Sequence, residues 1–189
     1  MINTSENPAS IRSKMYLVEA LLKLMDEKSY DTISIKELTD RAKLSRRTFY
    51  TNFETKEDIL KYHFDTLVNE YIEILQTYEC LTPNDIANEY FSYWFSHKNL
   101  LLLLKKNNLP ILIKVFEEFL RNMNSLPIIK NRRFTDSELQ YYDAVFVAGG
   151  LWNMLNVWIE NDFGKSSEEM TAIFTKIFTV IPSDRSCES

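Results

Sequence analysis

The segment from Ser34 to Lys56, SIKELTDRAKLSRRTFYTNFETK, constrains the fold more than any other part of the chain. Ser34 and Glu37 have the spacing of a capping box, which predicts the start of a helix. Apolar residues then recur at helical intervals as far as Ala42. Ser45 is a second N-cap residue. The pattern therefore predicts two short helices joined by a tight turn and followed by the start of a third helix.

The second of these helices separates its apolar residues from its polar ones. Phe49 and Phe53 fall on one side of the helix. From Arg41 to Phe53 the chain has four basic residues and no acidic one. A helix that presents arginines and small polar groups from its first turn suits the major groove of DNA. The side away from the two phenylalanines carries Arg46, Arg47, Tyr50, Thr51 and Asn52.

This segment resembles the DNA-binding helix-turn-helix of the TetR (tetracycline-repressor-like) family of bacterial transcriptional regulators. The resemblance implies an all-α fold, with an N-terminal three-helix DNA-binding head and a helical C-terminal domain for ligand sensing and dimerisation. Two residues depart from the family pattern: Lys43 stands where glycine is usual, and Asn52 where many relatives have histidine. The matching runs are Ile35-x-x-Leu38-x-x-x-Ala42, Leu44-Ser45-Arg46-Arg47-Thr48-Phe49-Tyr50 and Phe53-x-x-Lys56-x-x-x-Leu60.

The same residues supply the candidate DNA contacts. The candidates for base edges are Arg46, Arg47 and Thr51, although either arginine alone can instead bind only phosphate. Lys43 is a further phosphate candidate, but a left-handed conformation at this turn would cost a non-glycine residue about 1 kcal/mol or more. Asn52 can bond a phosphate or an adenine edge. The alternative for the serines is ordinary helix capping. The other phosphate candidates are Ser34, Ser45, Thr48, Tyr50 and Lys56.

Composition supports a helical fold and limits how the chain can bind nucleic acid. The 189 residues include only three glycines and five prolines. The formal net charge is −5, and the first 60 residues contribute none of it because their ten basic and ten acidic residues cancel. An acidic protein does not coat DNA indiscriminately, so binding would have to come from a local basic face.

The apolar pattern divides the chain into two predicted domains. Residues 10–55 form the DNA-binding head, whose first helix we expect Ser10 to cap. Residues 56–182 form the effector-binding and dimerisation domain. Its first helix, from Lys56 to about Gln76, has an unbroken apolar stripe and is predicted to join the two domains as a rod. Gly164 is predicted to cap the end of the next-to-last helix.

Aromatic residues are unusually frequent in the predicted C-terminal domain. Such side chains can line a pocket for an apolar effector, and the resemblance to the family favours a sensing role for this domain. The alternative is that they only fill the core. The candidate pocket residues are Tyr71, Tyr90, Phe91, Trp94, Phe95, Phe116, Phe119, Tyr142 and Phe146.

The last two predicted helices carry more apolar surface than one small domain needs. A four-helix bundle with two helices from each of two chains would bury it, and the resemblance favours this arrangement. The alternative is a core within one chain. Two mid-helix glycines cost about 1 kcal/mol each against alanine, so we expect a close packing contact there. The candidate interface residues are Gly149, Gly150, Trp152, Leu155, Trp158, Ile173, Phe174 and Phe178.

Other classes of protein are not favoured. Cys80 and Cys187 have no metal or redox spacing and are expected to be free thiols in a reducing cytosol. His63 and His97 lie near no set of metal ligands. The N-terminal residues do not form a signal peptide, and no apolar run reaches the roughly 20 residues of a membrane span. We therefore expect a cytoplasmic protein without cofactor, metal or enzymatic activity.

The sequence thus predicts a homodimeric repressor that binds a pseudo-palindromic DNA operator and is released by a small-molecule effector. The alternative is a helical co-activator or adaptor that keeps the fold and acts through a protein partner.

Overall fold

The computed structural model describes residues 7–78, 82–109 and 136–180, and all regular structure in this part of the chain is helical. The contacts divide these residues into two compact units. Unit 1 contains residues 7–70 and 99–109, and unit 2 contains residues 71–78, 82–98 and 136–180. Among the described residues, no helix is long and apolar enough to cross a membrane.

The first three helices form the head of unit 1. They are α1 (Pro8–Glu27), α2 (Ile35–Ala42) and α3 (Arg46–Asn52), with a short 3-10 turn (Tyr30–Thr32) between α1 and α2. Helix α1 packs against both α2 and α3. Their fully buried side chains include Leu17, Leu21, Met25, Leu38 and Phe49.

Helix α1 begins earlier than the sequence pattern predicted. The side chain of Asn7, not that of Ser10, is the cap, and it accepts a hydrogen bond from the N–H of Ala9 at 3.0 Å. Pro8 occupies the first helical position, where its fixed φ and missing N–H are favourable. Ser10 therefore lies inside the first turn, and its hydroxyl is available for another partner.

Two more helices contribute to the described part of unit 1. The first part of α4 (Lys56–Gln76) contributes Ile59, Leu60 and Phe64, all fully buried, before the helix continues into unit 2 after residue 70. Helix α6 (Lys98–Lys106) contributes Leu101 and Leu104. The division into functional domains at residues 10–55 and 56–182 stays a prediction. The contacts within the chain group α6 with the three helices of the head.

Unit 2 is built from α5 (Pro83–Ser96), α7 (Ser137–Glu160) and α8 (Ser167–Val180). Helix α5 packs along α8 and also contacts α7. Thr82 and Asp85 form a capping box at the start of α5, and the side chain of Asp136 caps α7 through two backbone N–H groups. The core of this unit includes Phe91, Trp94, Leu155, Trp158, Met170 and Phe174.

The turn between α7 and α8 differs from the prediction that Gly164 caps the helix. Gly164 does not have a positive φ; the left-handed residues are Asp162 and Phe163, with φ of 51° and 56°. The N–H of Phe163 donates to the carbonyl of Trp158 at 2.9 Å. The ring of Phe163 is buried 4.8 Å from that of Trp158. Burial of the ring offsets the conformational cost, which is about 1–2 kcal/mol for a non-glycine residue.

Candidate nucleic-acid interface

The start of α2 is fixed by the predicted capping box. The hydroxyl of Ser34 accepts a hydrogen bond from the N–H of Glu37 at 3.2 Å, and a carboxylate oxygen of Glu37 accepts one from the N–H of Ser34 at 3.1 Å. The Lys28 ammonium, followed by the N–H and hydroxyl of Ser34, lowers the pKa of Glu37 to about 2. The prediction of this helix start is confirmed, and Ser34 is exposed at the N-terminal end of α2.

Lys43 forms the turn between α2 and α3 in a left-handed conformation, with φ 56° and ψ 39°. The N–H of Leu44 donates to the carbonyl of Thr39 at 2.9 Å across the turn. This is the hydrogen bond of a Schellman motif, which usually places glycine at the left-handed position. The side chain of Lys43 is exposed. The turn therefore keeps the geometry of a helix-turn-helix at the conformational cost that the sequence predicted.

Helix α3 exposes the two arginines next to an apolar anchor. The hydroxyl of Ser45 caps it by accepting from the N–H of Thr48 at 3.0 Å. Phe49 is completely buried. Arg46 and Arg47 are exposed, and neither has a carboxylate partner among the residues that the structure describes. The same helix also exposes Tyr50 and Thr51.

One basic residue of the segment does not belong to this surface. The guanidinium of Arg41 donates two hydrogen bonds of 2.7 Å each to the carboxylate of Glu27, on α1. A bidentate pair of this kind fixes the orientation of the arginine. Three of the four basic residues between residues 41 and 53, namely Lys43, Arg46 and Arg47, are therefore left for a ligand.

The side chain of Asn52 is directed toward the protein. Its Oδ1 accepts a hydrogen bond from the hydroxyl of Ser10 at 2.6 Å, and its Nδ2 donates to the carbonyl of Thr48 at 2.7 Å. The spacing of the motif gave no indication of the Ser10 contact, because 42 residues separate the partners. Asn52, a predicted DNA contact, thus has protein partners for both ends of its amide.

Lys56, the predicted phosphate contact at the start of α4, is also directed inward. Its ammonium donates to the carbonyls of Tyr30 at 2.8 Å and Ile33 at 2.6 Å, and it lies 4.5 Å from the centre of the Tyr30 ring. Burial lowers the pKa of Lys56 and raises that of Tyr30 to about 12. Within the described chain Lys56 therefore joins α4 to the connection between α1 and α2, and its contact with phosphate stays a prediction.

The predicted pocket residues fall into different places. Phe91 and Phe95 pack on the ring of Trp158, with centroid distances of 5.8 and 5.4 Å, and so contribute to the core of unit 2. Tyr71, Tyr90 and Trp94 form a neighbouring cluster. Burial raises the pKa of both tyrosines, and the hydroxyl of Tyr71 donates to the carbonyl of Ile86 at 3.3 Å.

The remaining pocket candidates do not join that cluster. Tyr142 and Phe146, on α7, are 60% and 61% exposed, so they line no enclosed site within the described chain. Phe116 and Phe119 lie outside the described residues. Five of the nine predicted residues are therefore brought together in unit 2.

The predicted interface residues also divide. Leu155, Trp158 and Phe174 are buried within unit 2, at 1%, 2% and 6% exposure, because they fill the space between its helices. They have almost no surface left for a second chain. Gly150 is exposed, and a Cβ atom on Gly149 or Gly150 would meet no described atom within 4 Å, so the described residues do not supply the expected close contact. Partly buried positions are held by Gly149, Trp152, Ile173 and Phe178.

The fold and the exposed face of α3 define a helix-turn-helix DNA-binding protein. Residues 17–62 match the family model described as bacterial regulatory proteins of the tetR family. Residues 81–180 match a second family model, described as a transcriptional regulator C-terminal region. The chain therefore belongs to the TetR family of transcriptional regulators, which confirms the resemblance and the all-α fold predicted from the sequence.

One curated relative is the HTH-type dhaKLM operon transcriptional activator DhaS of Lactococcus lactis subsp. lactis (strain IL1403). It is 28% identical over 96 residues, which cover 51% of this chain and 43% of the relative. The matched region thus spans less than half the length of that protein.

Among the described residues, no group of histidine, cysteine, aspartate and glutamate side chains is arranged to hold a metal ion.

Proposed function

We propose that this protein is a homodimeric regulator whose two α3 helices enter successive major grooves of a pseudo-palindromic DNA operator. The observation that carries the proposal is the pair of exposed arginines, Arg46 and Arg47, at the start of a helix anchored by the buried Phe49. Because no described carboxylate occupies their guanidinium groups, both are available to guanine edges or phosphates.

Thr51 joins the two arginines as a candidate for contacts with base edges. The other exposed residues around the arginines are candidates for contacts with the DNA backbone, and Lys43 at the turn supplies a flexible positive charge next to α3. Backbone contacts set the register of the protein on the duplex but do not read sequence. The phosphate contacts come from Ser34, Lys43, Ser45, Thr48 and Tyr50.

The experiment is a selection of purified protein on sheared genomic DNA of its source, followed by a salt titration on the best fragment. With Lys43, Arg46 and Arg47 as the charged contacts of each protomer, a dimer neutralises up to about six phosphates, so log K should fall with log salt at a slope of up to about −5. The double variant Arg46→Ala/Arg47→Ala should lose specific binding and keep its oligomeric state. Arg12→Ala, which removes an exposed arginine of α1, is the matched control. Specific binding that survives in the double variant would refute the placement of the recognition helix.

The dimer interface follows an exposed apolar stripe on α7. Leu139, Tyr142, Phe146 and Val157 follow one another at intervals of three, four and eleven residues, which places them on one helix face, and each is more than half exposed. Gly150 lies on the same stripe between Phe146 and Val157. Large apolar side chains on one helix face favour association with another copy. The interface therefore shifts from the buried Leu155, Trp158 and Phe174 to this stripe and its half-buried neighbours.

Introducing a charge tests this interface. Phe146→Asp would bury an unpaired carboxylate between the two chains and should give a monomer by sedimentation equilibrium. Asn88→Asp adds the same charge at an exposed position of α5 and should leave the dimer unchanged. A Phe146→Asp protein that remains a dimer at micromolar concentration would place the interface elsewhere.

An effector that binds in unit 2 releases the operator in this proposal. The cluster of Tyr71, Tyr90 and Trp94 offers apolar walls with hydroxyl groups, the composition of a ligand site. Helix α4 runs from the head into unit 2, so a shift of α4 alters the spacing of the two heads. The effector acts only if it binds the released state more tightly than the DNA-bound state.

A thermal-shift screen with small apolar and aromatic compounds tests the effector. A hit should lower operator affinity, and Tyr90→Phe should weaken the response while it leaves operator binding without effector unchanged. The control is Tyr78→Phe, which removes an exposed hydroxyl that donates to Glu89. A hit that stabilises the protein without changing DNA affinity would separate ligand binding from regulation.

The second candidate function is a co-activator that works through a protein partner. The observation that favours activation is the relative DhaS, which is named as a transcriptional activator. A promoter–reporter assay with the selected fragment determines the sign, because a repressor lowers expression and an activator raises it. If the protein is instead an adaptor, its binding to DNA should not depend steeply on salt, and a protein partner should capture it.

A further inference from the structure

The recognition helix is tied to the start of α1 by one hydrogen bond between side chains. The hydroxyl of Ser10 donates to Oδ1 of Asn52 at 2.6 Å. Both side chains are partly buried. Asn7 already caps α1, and the N–H of Phe53 already donates to the carbonyl of Phe49 at the end of α3. Neither helix end therefore needs this bond for its own termination.

The orientation of the Asn52 amide follows from its second partner. Its Nδ2 donates to the backbone carbonyl of Thr48 at 2.7 Å. If the amide were reversed, Oδ1 would face that carbonyl, and two acceptors would oppose each other. Oδ1 must therefore face Ser10, whose hydroxyl is the donor. Both ends of the amide are used within the protein, and Asn52 is held against α1 at its Oδ1 end.

Helix α3 has only seven residues, so its orientation depends on a few contacts. Phe49 and Phe53 anchor one side of it in the core. Apolar contacts of this kind are not directional, whereas a hydrogen bond has a preferred distance and angle. The bond from Ser10 restrains the last turn of α3 and, with it, the angle at which the exposed face of the helix is presented.

We propose that Asn52 is a positioning residue of the recognition helix, which acts on DNA affinity and base discrimination through Ser10 and without touching the DNA. The inference rests on the proposed function of α3. It replaces the direct contact of Asn52 with phosphate or adenine that the sequence suggested.

The test compares Ser10→Ala, Asn52→Ala and the double variant on the DNA fragment selected by the wild-type protein. A hydrogen bond of ordinary strength corresponds to a loss of about 2- to 10-fold in affinity. We expect both single variants to lose affinity by a similar factor within this range. The double variant should lose no more than Asn52→Ala, because both changes remove the same bond. The salt slope should stay that of the wild-type protein.

Two further readouts separate positioning from general loss of stability. The variants are measured well below their unfolding temperatures, and each is also titrated on fragments with one base pair changed in the half-site. Positioning predicts weaker discrimination against the changed fragments, which partial unfolding would not produce. The matched control is Ser13→Ala, which removes a hydroxyl of the same helix that donates to the carbonyl of Ala9 at 2.9 Å and has no other hydrogen bond among the described residues.

The contrary outcomes are distinct. If Asn52→Ala flattens the salt slope by about 0.9 per half-site while Ser10→Ala has no effect, Asn52 contacts phosphate and the inference is wrong. If neither single variant changes affinity or discrimination, the bond does not position the helix. A wild-type protein that binds no fragment with steep salt dependence would instead overturn the proposed function itself.

Discussion

The side-chain amide of Asn107 joins the end of α6 to the connection that follows α1. Its Oδ1 accepts a hydrogen bond from the N–H of Tyr30 at 2.8 Å, and its Nδ2 donates to the carbonyls of Met25 at 3.3 Å and Leu103 at 2.9 Å. The adjacent Lys106 ammonium donates to the carbonyl of Asp26 at 2.8 Å. A shift of α6 therefore either breaks these bonds or moves the end of α1 with it.

Asn107→Ala should destabilise unit 1. The substitution leaves the partly buried N–H of Tyr30 without its acceptor, which costs about 1–3 kcal/mol. Urea unfolding should show this loss with an unchanged slope m. Hydrogen exchange at the Tyr30 amide should become faster by a corresponding factor.

Asn99→Ala is the control for this prediction. It makes the same change at an exposed position inside α6, where alanine is the better helix former, and it should leave stability equal or slightly higher. If Asn107→Ala has the same stability and the same Tyr30 exchange rate as this control, the hydrogen bonds of the Asn107 side chain contribute nothing to the attachment of α6.

Local signals in the sequence predicted the helix-turn-helix well. Ser34, Glu37 and Ser45 act through partners three residues away, so their spacing alone identified the caps. The family motif has glycine at the turn, so the conformational cost of a left-handed Lys43 was expected from the resemblance and not from spacing. Interactions of this range depend on the helical period and hardly on the remaining fold.

Long-range partners could not be read from the same signals. Asn52 bonds to Ser10, and Lys56 to Tyr30 and Ile33, so residues expected at the DNA surface turn inward. The interface prediction had a related difficulty, because an apolar residue such as Trp158 looks the same in sequence whether it faces its own core or a partner. Only the packing of α5 against α7 and α8 shows which face of α7 is covered.

Lys56→Met should destabilise the protein and leave the salt dependence of DNA binding unchanged. The substitution removes two hydrogen bonds from a charged donor to backbone carbonyls, each of which typically contributes about 1.5–3 kcal/mol, although losses of neighbouring bonds do not add fully. We expect a loss of about 2–3 kcal/mol in the free energy of unfolding. The salt slope of operator binding should be unchanged.

The corresponding control is Lys36→Met, at an exposed position of α2, which should change stability little. A flattening of the salt slope by about 0.9 per half-site in Lys56→Met, together with wild-type stability, would restore Lys56 as a phosphate contact and refute its structural role.

Lys43→Gly should raise stability and lower operator affinity at the same time. Glycine removes the left-handed strain of about 1–2 kcal/mol, and the greater freedom of glycine in the unfolded chain offsets about 0.4–1 kcal/mol of that. The net gain should be about 0.5–1 kcal/mol in urea unfolding. The loss of the exposed charge should flatten the salt slope by about 0.9 per half-site.

Lys36→Gly would not serve as a control here, because glycine inside α2 destabilises the helix. Lys43→Asn is better, since asparagine also tolerates the left-handed region and removes the charge. Both variants should show the same flattened slope. A slope equal to that of the wild-type protein in both would remove Lys43 from the phosphate contacts and leave only its conformational role.

Glu37 should make the stability of the head depend on pH in acid. The Lys28 ammonium and the N–H and hydroxyl of Ser34 lower its pKa to about 2 in the folded protein, below the value of about 4.3 in an unfolded chain. The folded state therefore binds the proton less readily than the unfolded state. The stabilising contribution is fully present above about pH 4.5 and is lost as the pH falls toward 2.

Comparison with Glu37→Gln isolates this contribution, because glutamine keeps the capping-box geometry and removes the titrating charge. The difference in unfolding midpoint between the two proteins should be constant from pH 5 to 7 and shrink between about pH 4.5 and 2. Repeating the pair in a Lys28→Met background removes the largest cause of the lowered pKa, so the change with pH should become smaller. A difference that stays constant down to pH 2 in both backgrounds would show that Glu37 titrates alike in the folded and unfolded chains.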